Sequence, residues 1–281
     1  MLKKNLVRSG FLSHGLLFLV PNTTTLKIEP HFSYAERNAA IMPKKVFNDT
    51  LNAGADSTMV VMPPPQIHLN KHAVKFVNNF LKKEDEFLQK MKDRSPSYFR
   101  VINGVFDKYG IPSELKYLAI VESQLRTTAV SRVGAKGLWQ FMPVTARELG
   151  LKVSGKTDER THFYKSTVAA AKYLKSLYAE FGDWLLVLAA YNGGPGTVYK
   201  AIKKSGSKNY WALQQYLPEE SRGHVKRFIG VHYFFEGCGS IATQTKAEAL
   251  AYQKLLEEHQ SAVQITQVTK DTVAVVAMAL K

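Results

Sequence analysis

The stretch LKYLAIVESQL, residues 115–125, decides how this chain folds around its most unusual side chain. With 3.6 residues per helical turn, Leu115, Leu118 and Leu125 fall on one apolar stripe that also contains Glu122. A carboxyl group on a buried helix face costs free energy unless it has a partner or lies at the rim of the core. The stretch therefore predicts a core helix, and it marks Glu122 as either a structural residue or a reactive one.

Upstream of this stretch, an apolar stripe of helical period begins after Asn70. Ser95 and Pro96 are expected to break it, because proline lacks the backbone N–H that a helix interior needs. A second helix is expected from Tyr98 to Tyr109, where Gly110 stops it.

Downstream, helices are expected to begin at residues that cap or open helices, namely Ser113, Pro143, Ser166 and Asp183. No segment between residues 70 and 237 alternates with period two for long enough to require a sheet. The sequence therefore predicts a mainly α, multi-helix domain with glycine-rich corners.

The chain divides by composition into four parts. A basic and then apolar start is typical of a secretory leader, either cleaved or retained as an anchor, and the stretch after it has no sustained period. The predicted divisions are a leader at 1–25, a linker or irregular wrap at 26–69, the catalytic domain at 70–238 and a tail at 239–281.

The tail is expected to open with a helix. Thr245 and Glu248 have the spacing of a capping box, and the helix they start is predicted to end near His259. The residues after it favour a strand or a loose apolar segment, because they are rich in valine and threonine.

The net charge of +15 indicates a polyanionic partner, such as nucleic acid, anionic lipid or a cell-wall polymer. No nucleic-acid-reading motif is recognisable, so nucleic acid is not the predicted partner. Cys238 is the only cysteine, which excludes a disulfide within the chain and a cysteine-based metal site.

Two glycine-rich corners are candidates for a ligand site. A backbone that bends at Gly134 and Gly137, and again at 193–196, can approach a ligand closely because no Cβ intervenes. Rings that stack on sugar faces and amides that meet sugar substituents lie at these corners. The candidate residues are Ser131, Trp139, Gln140, Tyr191 and Asn192, although Trp139 and Tyr191 could equally be core.

Taken together, the ordered motifs resemble those of lytic transglycosylases of the soluble-lytic-transglycosylase (SLT) type, in particular the membrane-bound murein transglycosylase D group. The resemblance covers about residues 98–235. It is carried by ES at 122–123, Ser131, GLWQ at 137–140, AAYNGG at 189–194 and YLPEESRGHVKRF at 216–228.

The resemblance implies a lysozyme-like α domain that cleaves peptidoglycan between N-acetylmuramic acid and N-acetylglucosamine, without a cofactor or a metal, as a monomer in the periplasm or at the membrane of the cell envelope. It implies that Glu122 is the catalytic acid and base. Ser131 and Gln140 correspond to residues at the sugar acetamido group, and Tyr191 and Asn192 to residues of the cleft.

Two positions depart from the family pattern. Trp139 replaces the usual methionine of GLMQ, which keeps an apolar residue in a groove that stacks sugars. His224 replaces a tyrosine that usually lies beside the catalytic glutamate, so the pH dependence of the reaction is expected to differ.

Ordinary glycosidases use a pair of carboxyl groups, but this region offers no obvious second one. The reaction must therefore use Glu122 alone. An apolar environment favours the protonated form, so Glu122 could protonate the glycosidic oxygen and then take the proton of the muramyl C6 hydroxyl as a 1,6-anhydro ring closes. The alternatives are a lysozyme-type hydrolase on the same fold, and an envelope protein that binds peptidoglycan with impaired catalysis.

Overall fold

The computed structural model describes the backbone of residues 63–279 and the side chains of residues 63–265. The predicted leader at 1–25 lies outside the described residues, and so does most of the predicted linker. Residues 63–70 are described and form no helix or strand.

The mainly α prediction is confirmed. Across residues 63–279 no strand forms, and β-type pairing is limited to isolated bridges such as Val130 with Lys136. Single 3₁₀ turns connect several of the helices, the first at Ser113–Tyr117. The α-helices are α1 (Lys71–Tyr109), α2 (Leu118–Ser123), α3 (Pro143–Glu148), α4 (Phe163–Phe181), α5 (Trp184–Gly193), α6 (Pro195–Ser205), α7 (Tyr210–Leu213), α8 (Glu219–Glu236) and α9 (Lys246–Ala279).

Helix α5 is the centre of the domain. Every residue from Trp184 to Ala190 is buried, as expected of a helix that is apolar on all sides. It packs against α4, α6 and α8, while α1 packs across α8 and α4. Asp183 caps α5 as predicted, since its Oδ1 accepts hydrogen bonds from the backbone N–H groups of Leu185 and Leu186 at 2.9 and 3.1 Å.

The predicted break at Ser95 and Pro96 is wrong, because α1 runs through both residues. Proline removes the N–H that would bond to the carbonyl of Lys92, and the Ser95 hydroxyl donates to that carbonyl instead, at 3.0 Å. The non-helical backbone lies at Glu84, with φ −107° and ψ 15°.

Two predicted caps are also wrong. Ser113 is the first residue of a 3₁₀ turn and makes no cap hydrogen bond. Helix α4 starts three residues before Ser166, and the imidazole of His162 accepts the N–H of Lys165 at its start. Ser166 lies inside the helix, where its hydroxyl bonds to the carbonyl of Phe163.

The tail confirms one prediction and contradicts another. The capping box is present, because the Glu248 carboxylate accepts the Thr245 N–H at 2.7 Å and the Thr245 hydroxyl accepts the Glu248 N–H at 3.3 Å. Helix α9 then continues well beyond His259 to Ala279, so the predicted strand or loose segment is wrong. Local β propensity is a weak signal when a capped helix can propagate. Among the helices that the structure describes, none is both long and apolar enough to cross a membrane.

Candidate functional site

Glu122 lies in the last turn of α2, immediately before an unusual helix end. Gln124 and Leu125 both adopt left-handed backbone conformations, with φ of 55° and 59°, although neither is glycine. Their N–H groups return to the carbonyls of Ile120 and Ala119, which closes the helix sharply. Strained backbone of this kind is common at functional sites. Leu125 is fully buried, so core packing fixes the turn that presents Glu122.

The Glu122 carboxyl group is paired with a histidine from α8. The Nε2 atom of His224 lies 2.8 Å from Oε1 of Glu122. The His224 side chain is 3% exposed and that of Glu122 is 12% exposed. His224 therefore touches the carboxyl group from the protein side, and its predicted role as a substrate-binding residue remains a prediction.

The two oxygens of Glu122 have different surroundings. Oε1 bonds to His224, whereas no side chain or backbone group in the described part of the chain bonds to Oε2. Because the side chain keeps a little exposure, Oε2 is the atom available to a ligand.

The second ring nitrogen of His224 indicates which nitrogen donates to Glu122. Nδ1 is buried and has no hydrogen-bond partner among residues 63–265. A proton on Nδ1 would leave a buried N–H unsatisfied, which is costly. A proton on Nε2 avoids this cost, and that N–H donates to Oε1 of Glu122.

Tyr191 lies close enough to Glu122 for the charge of Glu122 to change the pKa of the Tyr191 hydroxyl group. Burial raises the pKa of Tyr191 well above its usual range, and the negative charge of Glu122 and the neighbouring Tyr173 raise it further. The Tyr191 hydroxyl donates to the backbone carbonyl of Trp139 at 2.8 Å. Tyr191 is therefore a neutral hydroxyl that joins the end of α5 to the glycine-rich loop.

The first glycine corner is a tightly bonded loop. The Ser131 hydroxyl accepts the N–H of Ala135 at 2.9 Å, and the Gln140 side-chain amide donates to the carbonyls of Ala129 and Gly137 at 3.2 and 2.7 Å. Ser131 and Gln140 thus hold the loop, and the Gln140 side-chain oxygen is left to accept from a ligand. Their predicted contact with the acetamido group remains a prediction.

Gly137 is required by close packing at this corner. A Cβ there would lie 1.9 Å from the backbone oxygen of Arg160, and its φ of 87° is one that side chains rarely adopt. The predicted close approach is thus to the protein's own backbone.

Arg160, in the 3₁₀ turn Glu159–Thr161, contacts the loop and was not indicated by the sequence. It is buried, and one guanidinium nitrogen donates to the carbonyls of Gly134 and Phe141 at 2.8 and 2.9 Å. Asp158 pairs with it at 2.8 Å, and that hydrogen bond holds the pKa of Asp158 far below its usual range. Only the neighbouring opposite charges could have suggested this pair.

The predicted sugar-stacking role of Trp139 is wrong. Its side chain is 0% exposed, its Nε1 donates to the hydroxyl of Thr167 at 3.1 Å, and its ring packs near Phe106. A fully enclosed indole offers no face to a sugar, so Trp139 is a core residue that anchors the loop to the rest of the domain.

The second glycine corner holds Asn192 at the end of α5. Its side-chain oxygen accepts a hydrogen bond from the hydroxyl of Ser221, on α8, at 2.9 Å. A Cβ at Gly193 would lie 2.6 Å from that hydroxyl oxygen, so the glycine allows α5 and α8 to meet here. The structure thus places Asn192 beside the helix that also supplies His224.

Comparison with known proteins finds similarity over part of this chain. The model of the Transglycosylase SLT domain matches residues 101–214. The chain is 38% identical over 150 residues to membrane-bound lytic murein transglycosylase D of Escherichia coli strain K12, covering 52% of this chain and 33% of that protein. It is 33% identical over 136 residues to the peptidoglycan transglycosylase gp16 of Escherichia phage T7, covering 46% of this chain and 10% of that protein.

Among solved structures, the 70 kDa soluble lytic transglycosylase of Escherichia coli aligns with a TM-score of 0.45 at 27% identity, covering 52% of this chain and 26% of that one. The chain spans about a third of the length of the murein transglycosylase D that it matches.

Proposed function

We propose that this chain, which carries an SLT-type transglycosylase domain over residues 101–214, is a peptidoglycan lytic transglycosylase. The bond cleaved is the β-1,4 linkage between N-acetylmuramic acid and N-acetylglucosamine, and the product carries a 1,6-anhydro-muramyl end. The single observation that supports the proposal is the environment of the Glu122 carboxyl group: Oε1 bonds to Nε2 of His224, Oε2 has no partner among the described residues, and the side chain is 12% exposed.

The first half of the reaction needs a proton donor. With Glu122 protonated on Oε2, the proton passes to the glycosidic oxygen as the bond to C1 of the muramyl residue breaks. Oε1 meanwhile accepts the Nε2–H of His224, which fixes the plane of the carboxyl group. The acetamido oxygen of the substrate can stabilise the cationic C1, as in substrate-assisted glycosidases.

The second half needs a base at the same place. Oε2, now ionised, takes the proton of the C6 hydroxyl while the C6 oxygen attacks C1 and closes the anhydro ring. The Nε2–H of His224 stabilises the carboxylate by a charge-assisted hydrogen bond. The carboxyl group is protonated again at the end, so the cycle balances without water.

Residues 70–238 form the proposed catalytic unit, and the proposed setting is the periplasm or the membrane of the cell envelope, with the chain acting as a monomer on glycan strands. The net charge of +15 supports an anionic polymer as the substrate. The names of the matched relatives support murein as that polymer.

The test is product analysis by mass spectrometry after incubation with purified peptidoglycan. Anhydro-muropeptides are expected, and they should be absent with Glu122→Gln. Products heavier by about 18 mass units, the mass of one water, would identify a hydrolase instead. Binding without any soluble product would identify the impaired, peptidoglycan-binding alternative.

A further inference from the structure

A surface cavity of about 470 Å³ lies outside the site described above. At 100° per residue, Arg222 and Lys226 point away from the side of α8 on which His224 meets Glu122. The cavity is therefore separated from Glu122 by the helix itself. Its lining residues come from the starts of α1 and α7, the turn after α7 and the first half of α8, and they are His72, Trp211, Gln214, Gln215, Arg222 and Lys226.

The two cations of the cavity have no counter-ion among the side chains that the structure describes. Arg222 and Lys226 are half-buried, and neither forms an ion pair with a residue at positions 63–265. Other partly buried cations of this chain are paired: Lys136 and Arg160 meet Asp158 at 3.1 and 2.8 Å. Partial removal of a charge from water without a partner costs free energy, and an anionic ligand would offset that cost.

The rest of the lining suits a ligand that also carries amide groups. The rings of His72 and Trp211 stack with centroids 5.9 Å apart, and both rings line the cavity. The side-chain NH₂ groups of Gln214 and Gln215 donate to the carbonyls of Trp211 and Ala212. Their side-chain oxygens are thus left to accept N–H groups from a ligand.

We propose that this cavity binds the carboxylate-bearing stem peptide of a peptidoglycan strand. Arg222 and Lys226 pair with the carboxylates, and Gln214 and Gln215 accept peptide N–H groups. This inference rests on the proposed function for the choice of polymer. Because α8 separates the cavity from Glu122, the stem bound here is not competing with the glycan at Oε2, and it adds affinity for strands that carry stems.

The experiment measures binding by isothermal titration calorimetry in the Glu122→Gln chain, which does not turn over. The probes are a soluble glycan fragment with its stem peptides and the same fragment after the stems have been removed. Arg222→Gln with Lys226→Gln is expected to weaken binding of the stem-bearing fragment about tenfold to a hundredfold. Binding of the stem-free fragment should be unchanged.

The matched control is Lys82→Gln with Lys83→Gln, two exposed lysines of α1 whose replacement removes the same charge. It should bind both fragments as the parent does. Gln214→Glu, which places a negative charge in the cavity, provides a second test should the double variant fail to fold, and it should weaken only the stem-bearing fragment.

Equal affinity of the cavity variants and the control for the stem-bearing fragment would overturn the proposal. Competition by inorganic phosphate as effective as that by free stem peptide would also overturn it, since the cavity would then be a general anion site. The two proposals fail separately: absence of anhydro products from the unaltered chain concerns Glu122, whereas an unchanged affinity of the cavity variants for the stem-bearing fragment concerns the cavity.

Discussion

Helix α8 carries two buried histidines that have opposite surroundings. His224 meets a carboxyl oxygen of Glu122 at 2.8 Å. His232 is 0% exposed, and neither of its ring nitrogens has a hydrogen-bond partner in the described part of the chain. Its neighbours are aromatic, with Tyr117 edge-on at 5.7 Å and Phe228 at 6.2 Å.

The difference teaches that burial alone does not make a histidine chemically useful. Burial and, to a smaller extent, the charge of Lys116 lower the pKa of His232 to about 3. His232 therefore stays neutral and packs as a core ring. His224 is just as enclosed, but it touches a carboxyl group whose other oxygen remains accessible, and that contact links it to the proposed reaction.

The largest effect on turnover should come from removing the carboxyl group of Glu122, which His224 contacts. Glu122→Gln keeps the shape of the side chain but cannot donate or accept the proton, so turnover should fall by roughly 100- to 10,000-fold or more. Release of anhydro-muropeptides from purified sacculi measures the change, and circular dichroism checks the fold. A variant that retained full turnover would show that another group supplies the proton.

The next effect concerns the hydrogen bond from His224. His224→Phe removes the donor to Oε1, and turnover should fall about tenfold to a hundredfold, because a bond to a charged group contributes about 1.5 to 3 kcal/mol. His224→Tyr should recover much of the rate, since a phenol O–H can donate to the same oxygen.

Rates from both variants should be measured across pH, because a structural role alone would not change the shape of the profile. If the phenylalanine variant matched the unaltered chain in rate and pH profile, His224 would be only a packing residue. His224→Ala should also lower turnover, but less severely than Glu122→Gln.

The third effect concerns stability and His232. The pKa of His232 is about 3 in the folded chain, against an ordinary value of 6.5 that applies to the unfolded chain. Below pH 6.5, His232 therefore binds a proton more readily in the unfolded chain than in the folded chain. Its contribution to stability is therefore fully present above that pH and is lost as pH falls. Between pH 7 and pH 5 the loss should be about 2 kcal/mol.

Urea unfolding at the two pH values measures this loss. His232→Phe should reduce the pH dependence of the free energy of unfolding by that amount. Its turnover should equal that of the unaltered chain. An identical pH dependence in the variant and the unaltered chain would contradict the assignment of an uncharged, unpartnered His232.

The smallest effect is the coupling between the two histidines. They are separated by about 12 Å along α8 and share no described partner. The stability changes of His224→Phe and His232→Phe should therefore add to within about 0.5 kcal/mol in the double variant. A larger coupling would mean that the two sites communicate along the helix.

Some features that depend on local chemistry were predictable from the sequence, although the caps predicted at Ser113 and Ser166 were wrong. Asp183 and the pair Thr245 and Glu248 cap helices as expected, because each cap bonds to N–H groups within a few residues. Pro96 was not predictable in the same way. The hydroxyl of Ser95 compensates for it, and whether that hydroxyl turns back to the helix depends on the packing of α1.

The candidate site was predictable only in part. The position of Glu122 on an apolar stripe was a local signal, and the family motif marked His224 as its neighbour. The full burial of Trp139 and the contacts of Arg160 with the loop depend on residues up to 33 positions away, and no spacing in the sequence encodes them.

Asp183 joins two parts of the chain that composition separates. While one of its oxygens caps α5, the other accepts the N–H of Lys246, the first residue of α9, at 2.7 Å. Asn70, at the start of α1, donates to Glu248 in the same helix. A chain shortened after position 239 would expose one oxygen of the Asp183 carboxylate and free the start of α1. The shortened domain should therefore melt at a lower temperature, even though every residue of the proposed catalytic unit is still present.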